Sequence, residues 1–266
     1  MSVTSRPRRL LPLLPLSLLI LSAALAVGLR AASPSRLEPR LSWCSPDLAH
    51  PFGCGEGGVD LSALIAHATL RALALAVAVA ITGLVVGAPM GTFAALARGR
   101  IERITGRAAD LIQAFPTFLL ALVVLSAVRS PGRVHLGLVF AATAWAPFAR
   151  LALAQTRVLR DATYVEAAFA LGLSRPRIVV RHLLPQLLGV VAVQLGATGA
   201  AIVVSEAALA FVGLGPRDGV SLGAVMDQGV AAMLRAPHVL TVGALSVFLT
   251  SVSLLIAGRA LDRGTM

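Results

Sequence analysis

The sequence predicts an all-α, polytopic membrane protein with six transmembrane helices, and three observations carry that expectation. Of its 266 residues, 57% are hydrophobic and only 13% charged, where a soluble domain carries about 25% charged residues. Apolar blocks of about 20 residues, the length that crosses the hydrocarbon core of a bilayer as a helix, recur along the chain. Its 23 Lys and Arg positions are all arginine, and they gather at the ends of those blocks, the pattern of positive-inside topology. A formal net charge of +11 also fits nucleic-acid binding, but the arginines form no single face. Membrane lipid is therefore the expected neighbour, and no nucleic acid is.

Residues 1–9 are short and basic, with Arg6, Arg8 and Arg9, and precede the first apolar block at residues 10–29. A secretory signal has a similar layout, but this block is longer than a usual signal core and further spans follow. A retained first span with residues 1–9 in the cytoplasm is expected. Residues 30–66 form an extracytoplasmic loop, marked by Pro34, Pro46, Pro51 and the glycine-rich run at 52–60. That run is no phosphate cradle, since no lysine follows it and no strand–loop–helix setting surrounds it. Cys44 and Cys54 both lie in this loop. A disulfide and two free thiols both fit.

The transmembrane core is expected at residues 67–258. Span two, about residues 70–96, contains Gly83, Gly87 and Gly91 at four-residue spacing, which permits close helix packing in lipid. Arg71 near its start can snorkel to the interface. Arg98, Arg100, Arg103 and Arg107 follow, with Glu102 and Asp110 beside them. Span three, about residues 111–128, contains Pro116 and is expected to kink there. A tight turn at 129–133 leads to span four, about residues 134–153, with Trp145 and Pro147.

Residues 154–186 interrupt the apolar pattern and form a basic loop. A short helix there ends at Gly172, and Ser174 can cap a second with Pro176 in its first turn. Span five, about residues 187–211, holds Glu206 within it or at its outer end. A carboxylate in such a run is expensive, which makes it a functional or helix-packing candidate; a glutamate at the membrane edge is the alternative. A glycine-rich outer segment at 213–237, whose residues 231–234 can dip toward the membrane, precedes span six at about 238–257. Residues 259–266 form a cytoplasmic tail. With both ends inside, this layout puts fifteen arginines in the cytoplasm and eight outside.

Catalytic constellations are missing from this layout. The five histidines are scattered, and there is no HExxH and no nucleophile elbow. No catalytic or metal-binding residues and no cofactor of the chain's own are expected. Without a single lysine, the chain has no P-loop lysine, so ATP-driven transport would need a nucleotide site on another subunit. An ion-coupled carrier would instead need buried acidic residues, and only Glu206 is a candidate.

Three motifs give a more specific resemblance. Glu166-Ala167-Ala168, then Gly172 and His182-Leu183-Leu184-Pro185, resembles the "EAA" loop of ABC importer permeases, in the form used by the peptide/nickel (DppC/OppC-like) family. Trp145, Arg150, Arg157, Tyr164 and Val165 fall where that family carries its W…R…YV pattern. His50-Pro51-Phe52-Gly53 with Gly58-Val59-Asp60 is similar to its outer-loop signature, and Glu206 to Gly215 is similar to its ExxLSFLGLG segment. Asp110 and Pro116 match its spacing at span three. Val59 stands where an arginine is usual, Cys54 and Gly55 where Thr-Asp is usual, Leu222 where a tryptophan is usual, and Gln186 where an asparagine is usual. The inner loop is thus better kept than the outer ones.

The resemblance implies the type I ABC importer permease fold. It also implies ATPase coupling through Tyr164, Glu166, Ala167, Ala168, Gly172, His182 and Pro185, with Asp60, Asp110, Pro116 and Glu206 as structural or pathway candidates. The implied partners are a second homologous permease, two cytoplasmic ATPase subunits that use the ATP, and an extracytoplasmic substrate-binding protein. Di- and oligopeptides are the leading cargo, and nickel or another small solute is the alternative.

Overall fold

The computed structural model describes residues 13–29, 37–129, 131–215 and 220–262. The start expected in the cytoplasm, residues 1–9, and Arg30, Arg36, Arg217 and Arg263, lie outside the described residues. Ten α-helices are used below: α1 (Leu14–Leu29), α2 (Leu61–Ala97), α3 (Gly99–Ala114), α4 (Thr117–Ser126), α5 (Arg133–Leu159), α6 (Thr163–Ala170), α7 (Arg175–Ile178), α8 (Leu188–Leu209), α9 (Leu222–Ala231) and α10 (Pro237–Asp262). The ends of α2 and α5 that carry the arginine-rich segments are taken as the inner ends.

The expected count of six spans is not met in full. Among the described residues four helices are long and apolar enough to cross a membrane: α2, α5, α10, and the 40-residue run Arg175–Leu214 that contains α7 and α8. A fifth results if α3 and α4 count as one span. The 16 residues of α1 reach only about 24 Å, short of the ~30 Å core.

Span three differs most from its expectation. It is no kinked rod but two helices bent by 72°. Pro116 causes the break twice over. Its ring forces the preceding residue out of the helical region, and Phe115 is extended at φ −97°, ψ 127°. It also lacks the N–H that would continue the ladder. Composition follows the bend, because α3 carries five charged side chains and α4 none.

Span two starts at Leu61, inside the range expected to be loop, because Asp60 accepts the Ser62 N–H at 2.8 Å and caps the helix. Residues 231–234 are the last residue of a short helix, α9, and the turn that follows it; α9 is capped by Ser221, whose hydroxyl accepts the Ala224 N–H at 3.1 Å.

The bundle is held at its centre by α2 against α5. A Cβ added to Gly83 would lie 2.5 Å from the Ala144 carbonyl oxygen, one on Gly87 2.2 Å from that of Trp145, and one on Gly91 2.1 Å from that of Ala149. The two backbones therefore touch at three points over about two turns, which any larger residue would prevent. Large side chains fill the space beside this seam: Phe140 and Leu136 of α5 pack with Leu73, Val79, Leu125 and Val203. A second seam joins α8 to α10, where a Cβ on Gly196 would meet the Leu254 carbonyl at 2.5 Å.

The outer loop is a compact cap. Cys44 and Cys54 form a disulfide, with Cα atoms 4.8 Å apart, which resolves the open alternative. Cys54 N–H donates to the Cys44 carbonyl and Trp43 N–H to that of Gly55. The Arg235 guanidinium lies 4.6 Å above the Trp43 ring, tying this loop to the α9–α10 turn.

Gly87→Ala should lower the thermal stability of the detergent-solubilised protein by about 1–3 kcal/mol, the cost of overpacking. Gly28→Ala, where nothing lies within 4 Å, is expected to be neutral or slightly stabilising. Thermal denaturation of the two variants side by side checks the contrast.

Candidate functional site

The inner loop is built from its own side chains. In α6, Val165 and Ala168 are fully or almost fully buried and pack with Leu96 of α2 and with Ile178, Val179 and Leu183. Glu166, Ala167 and Phe169 are exposed on the other side. The helix closes with a Schellman cap: Leu173 N–H donates to the Ala168 carbonyl at 3.1 Å and Gly172 N–H to that of Phe169 at 2.9 Å. Gly172 takes φ +77° with nothing within 4 Å of a Cβ, so backbone conformation and not space requires glycine there. Leu173 then packs against the same apolar cluster.

The second inner helix is irregular for a nameable reason. Between α7 and α8 the chain passes through a π turn at Val179–Leu183 and a 3₁₀ turn at Leu184–Leu187. Pro185 sits at the junction, where its missing N–H and its ring are incompatible with a straight α-helix. The result is a cleft of about 490 Å³ lined by Tyr164, Arg181, His182, Pro185, Gln186 and Asp262, among others. The structure thus brings Tyr164, His182 and Pro185 together. Glu166, Ala167 and Gly172 lie outside that cleft, on the exposed side and C-terminal end of α6. The Nδ1 of His182 is buried without a hydrogen-bond partner among the described residues.

Beneath the loop is an ion cluster that sequence reasoning did not assign. Glu102 of α3 accepts from Arg157 Nε at 2.5 Å and from Arg160 at 3.0 Å, and Arg160 also donates to the Ala95 carbonyl of α2 at 2.8 Å. Arg98 pairs with Asp161, just before α6. One partly buried carboxylate and its partners therefore join α2, α3 and α5 at the point where α6 departs. Asp110 and Arg150, both matched on family spacing, pair with one another across α3 and α5.

The remaining candidates are dispersed. Asp60 is at the outer end, 3.6 Å from the His50 ring. Pro116 lines a central cavity between the α3–α4 bend, α5 and α8. Glu206 is 5% exposed and is buried between helices near the outer end of α8. It lines a cavity of about 260 Å³ with Arg71, Arg133, Leu136 and Val220. Its Oε2 has no hydrogen-bond partner among the described residues. Arg133 donates to the Val220 carbonyl at 3.2 Å. Among the described residues no group of three or more His, Cys, Asp or Glu side chains could hold a metal ion.

Residues 83–266 match the family of binding-protein-dependent transport system inner membrane components. The chain belongs to that family. It is 30% identical to the glutathione transport system permease protein GsiD of Pectobacterium atrosepticum over 81% of this chain and 72% of that protein. It is 31% identical to a putative peptide transport system permease protein of Brucella suis, over 92% and 83% of the two chains. Among solved structures, the inward-facing MetNI methionine ABC transporter superposes with a TM-score of 0.64 at 20% identity, over 76% of this chain and 96% of that one. The permease is thus a multi-pass protein of the bacterial inner membrane, with the type I ABC importer permease fold.

Glu102→Ala should cost about 1–2 kcal/mol, since it removes the carboxylate shared by Arg157 and Arg160, although Arg160 keeps Asp161 and the Ala95 carbonyl. Trypsin applied to the cytoplasmic face of inverted vesicles should then cleave faster within residues 98–107, and unchanged cleavage would remove the cluster's structural role.

Proposed function

We propose that this permease forms half of a translocation pathway for di- and oligopeptides and is driven through its inner loop by a separate ATPase. One observation carries the coupling part: α6 is fixed on one side by Val165 and Ala168, while its outer surface and exit carry exposed Phe169 (41%) and Leu171 (79%). A short helix that is rigidly held yet apolar outward is suited to seating in a groove of another protein. Ala167 allows close approach there, and Glu166 in the first turn favours the helix start electrostatically. Closure of an ATPase dimer would move α6. The Glu102–Arg157–Arg160 cluster and the apolar contacts to Leu96 would pass that movement to α2, α3 and α5.

Two such ATPase subunits, a second homologous permease and a substrate-binding protein complete the proposed assembly. With no lysine in the chain, no P-loop site is available to it, and ATP hydrolysis is assigned to those partners. Peptide is preferred to nickel because relatives over most of the chain's length are named for peptide transport and for glutathione, itself a short peptide.

Gly172→Arg should abolish co-purification of the ATPase, because it forces a bulky cation into a left-handed turn beside the docking surface, while membrane insertion continues. Undiminished co-purification would sink the docking assignment. Uptake into vesicles of the complete importer should need ATP and should persist when the proton gradient is collapsed.

A further inference from the structure

A cavity of about 340 Å³ lies about midway along the helices, between the α3–α4 bend, α5 and α8. That volume falls in the range of small-molecule sites. On α8 it is lined by Gln194, Thr198 and Ser205, whose spacing of four and seven residues places them on one face. Ala197 and Ala201 lie between them and keep the space open. Gln113, Thr117 and Thr143 line other parts of the wall. Not one lining residue is charged, although arginines and carboxylates crowd both ends of the bundle.

These side chains satisfy one another only in part. Gln194 donates to the Thr198 hydroxyl at 3.1 Å, Gln113 to the Ala109 carbonyl at 3.2 Å, and Thr143 to that of Phe140 at 3.1 Å. A carboxamide has two N–H donors and a carbonyl with two lone pairs, so each glutamine keeps capacity beyond its bond. Backbone adds to this. Pro147, also in the wall, has no N–H, so the Thr143 carbonyl loses its usual acceptor role in the α5 ladder. Unused polar capacity at this depth needs water or a solute as its partner, and a passing solute with matching groups can take the place of that water. A peptide bond offers one neutral donor and one neutral acceptor, whereas a cation or anion would meet no opposite charge.

We propose that this cavity is a cargo subsite that holds the neutral amide groups of a peptide in passage, through Gln113, Thr117, Thr143, Gln194, Thr198 and Ser205. The subsite reads the backbone of the cargo and ignores its side-chain charge. This rests on the peptide reading above, which it deepens.

The test uses the complete importer in proteoliposomes with neutral, acidic and basic dipeptides. Gln194→Leu and Thr198→Val should each slow ATP-dependent uptake of all three by about tenfold, while the liganded binding protein still stimulates ATP hydrolysis. Ser205→Cys adds the only free thiol in this chain, since Cys44 and Cys54 are joined. The new thiol should be labelled by a water-soluble maleimide in the assembled importer, and saturating dipeptide should slow that labelling. Uptake equal to wild type in both polar variants would overturn the subsite. So would a loss confined to charged dipeptides. A thiol at position 205 that stays shielded in the assembled importer, with or without dipeptide, would overturn it too, because the second permease would then cover the cavity. No dipeptide uptake by the wild-type importer, with ATP hydrolysis still stimulated, would instead sink the peptide reading itself.

Discussion

The structure depends on the backbone contact between α2 and α5. Lipid gives no hydrophobic drive for helices to associate, so packing has to hold them together. Gly83, Gly87 and Gly91 let α2 lie directly on the carbonyls of Ala144, Trp145 and Ala149. From that contact the other helices take their places: α8 packs beside α2, and α10 on α8 through its own glycine seam. The seam also orients α5, whose inner end supplies Arg157 and Arg160 and whose middle supplies the Thr143 and Pro147 wall of the central cavity.

The polar chemistry divides by depth. Charges are paired at the inner end, where Glu102 joins three helices and Arg98 meets Asp161. Charges recur at the outer end, where Glu206 shares a cavity with Arg71 and Arg133. Between them, the central cavity is lined by apolar side chains with six uncharged amides and hydroxyls among them. This layering follows from the cost of charge in a low-dielectric slab, and under the proposed function it would separate force transmission at one end from contact with a solute in the middle.

Much of the fold was legible in advance, because hydrophobic blocks and arginine placement act through the bilayer, a solvent with one dominant rule. The short helix ending at Gly172 was legible because its signal is local, a left-handed residue after a helix. For span three Pro116 indicated a kink, but the size of the bend depended on both Phe115 adopting an extended backbone and α3 being too polar to continue into lipid. Glu206 could not be placed from its neighbours in sequence, since the side of α8 it occupies matters only once α2 and α5 are in position. Gln194, Thr198 and Ser205 did carry a periodic signal, at one helix face.

By itself the sequence determined that the chain lies in a membrane, where α6 ends, and that nucleotide chemistry of the P-loop kind has no lysine to use. These depend on composition or on a few consecutive residues. Only the tertiary structure decided that Cys44 joins Cys54, that Asp110 meets Arg150, that Glu206 is inside the bundle and that six uncharged polar side chains share one cavity. Each of those relations links residues on separate elements or far apart on one, and their distances exist only after the chain has packed.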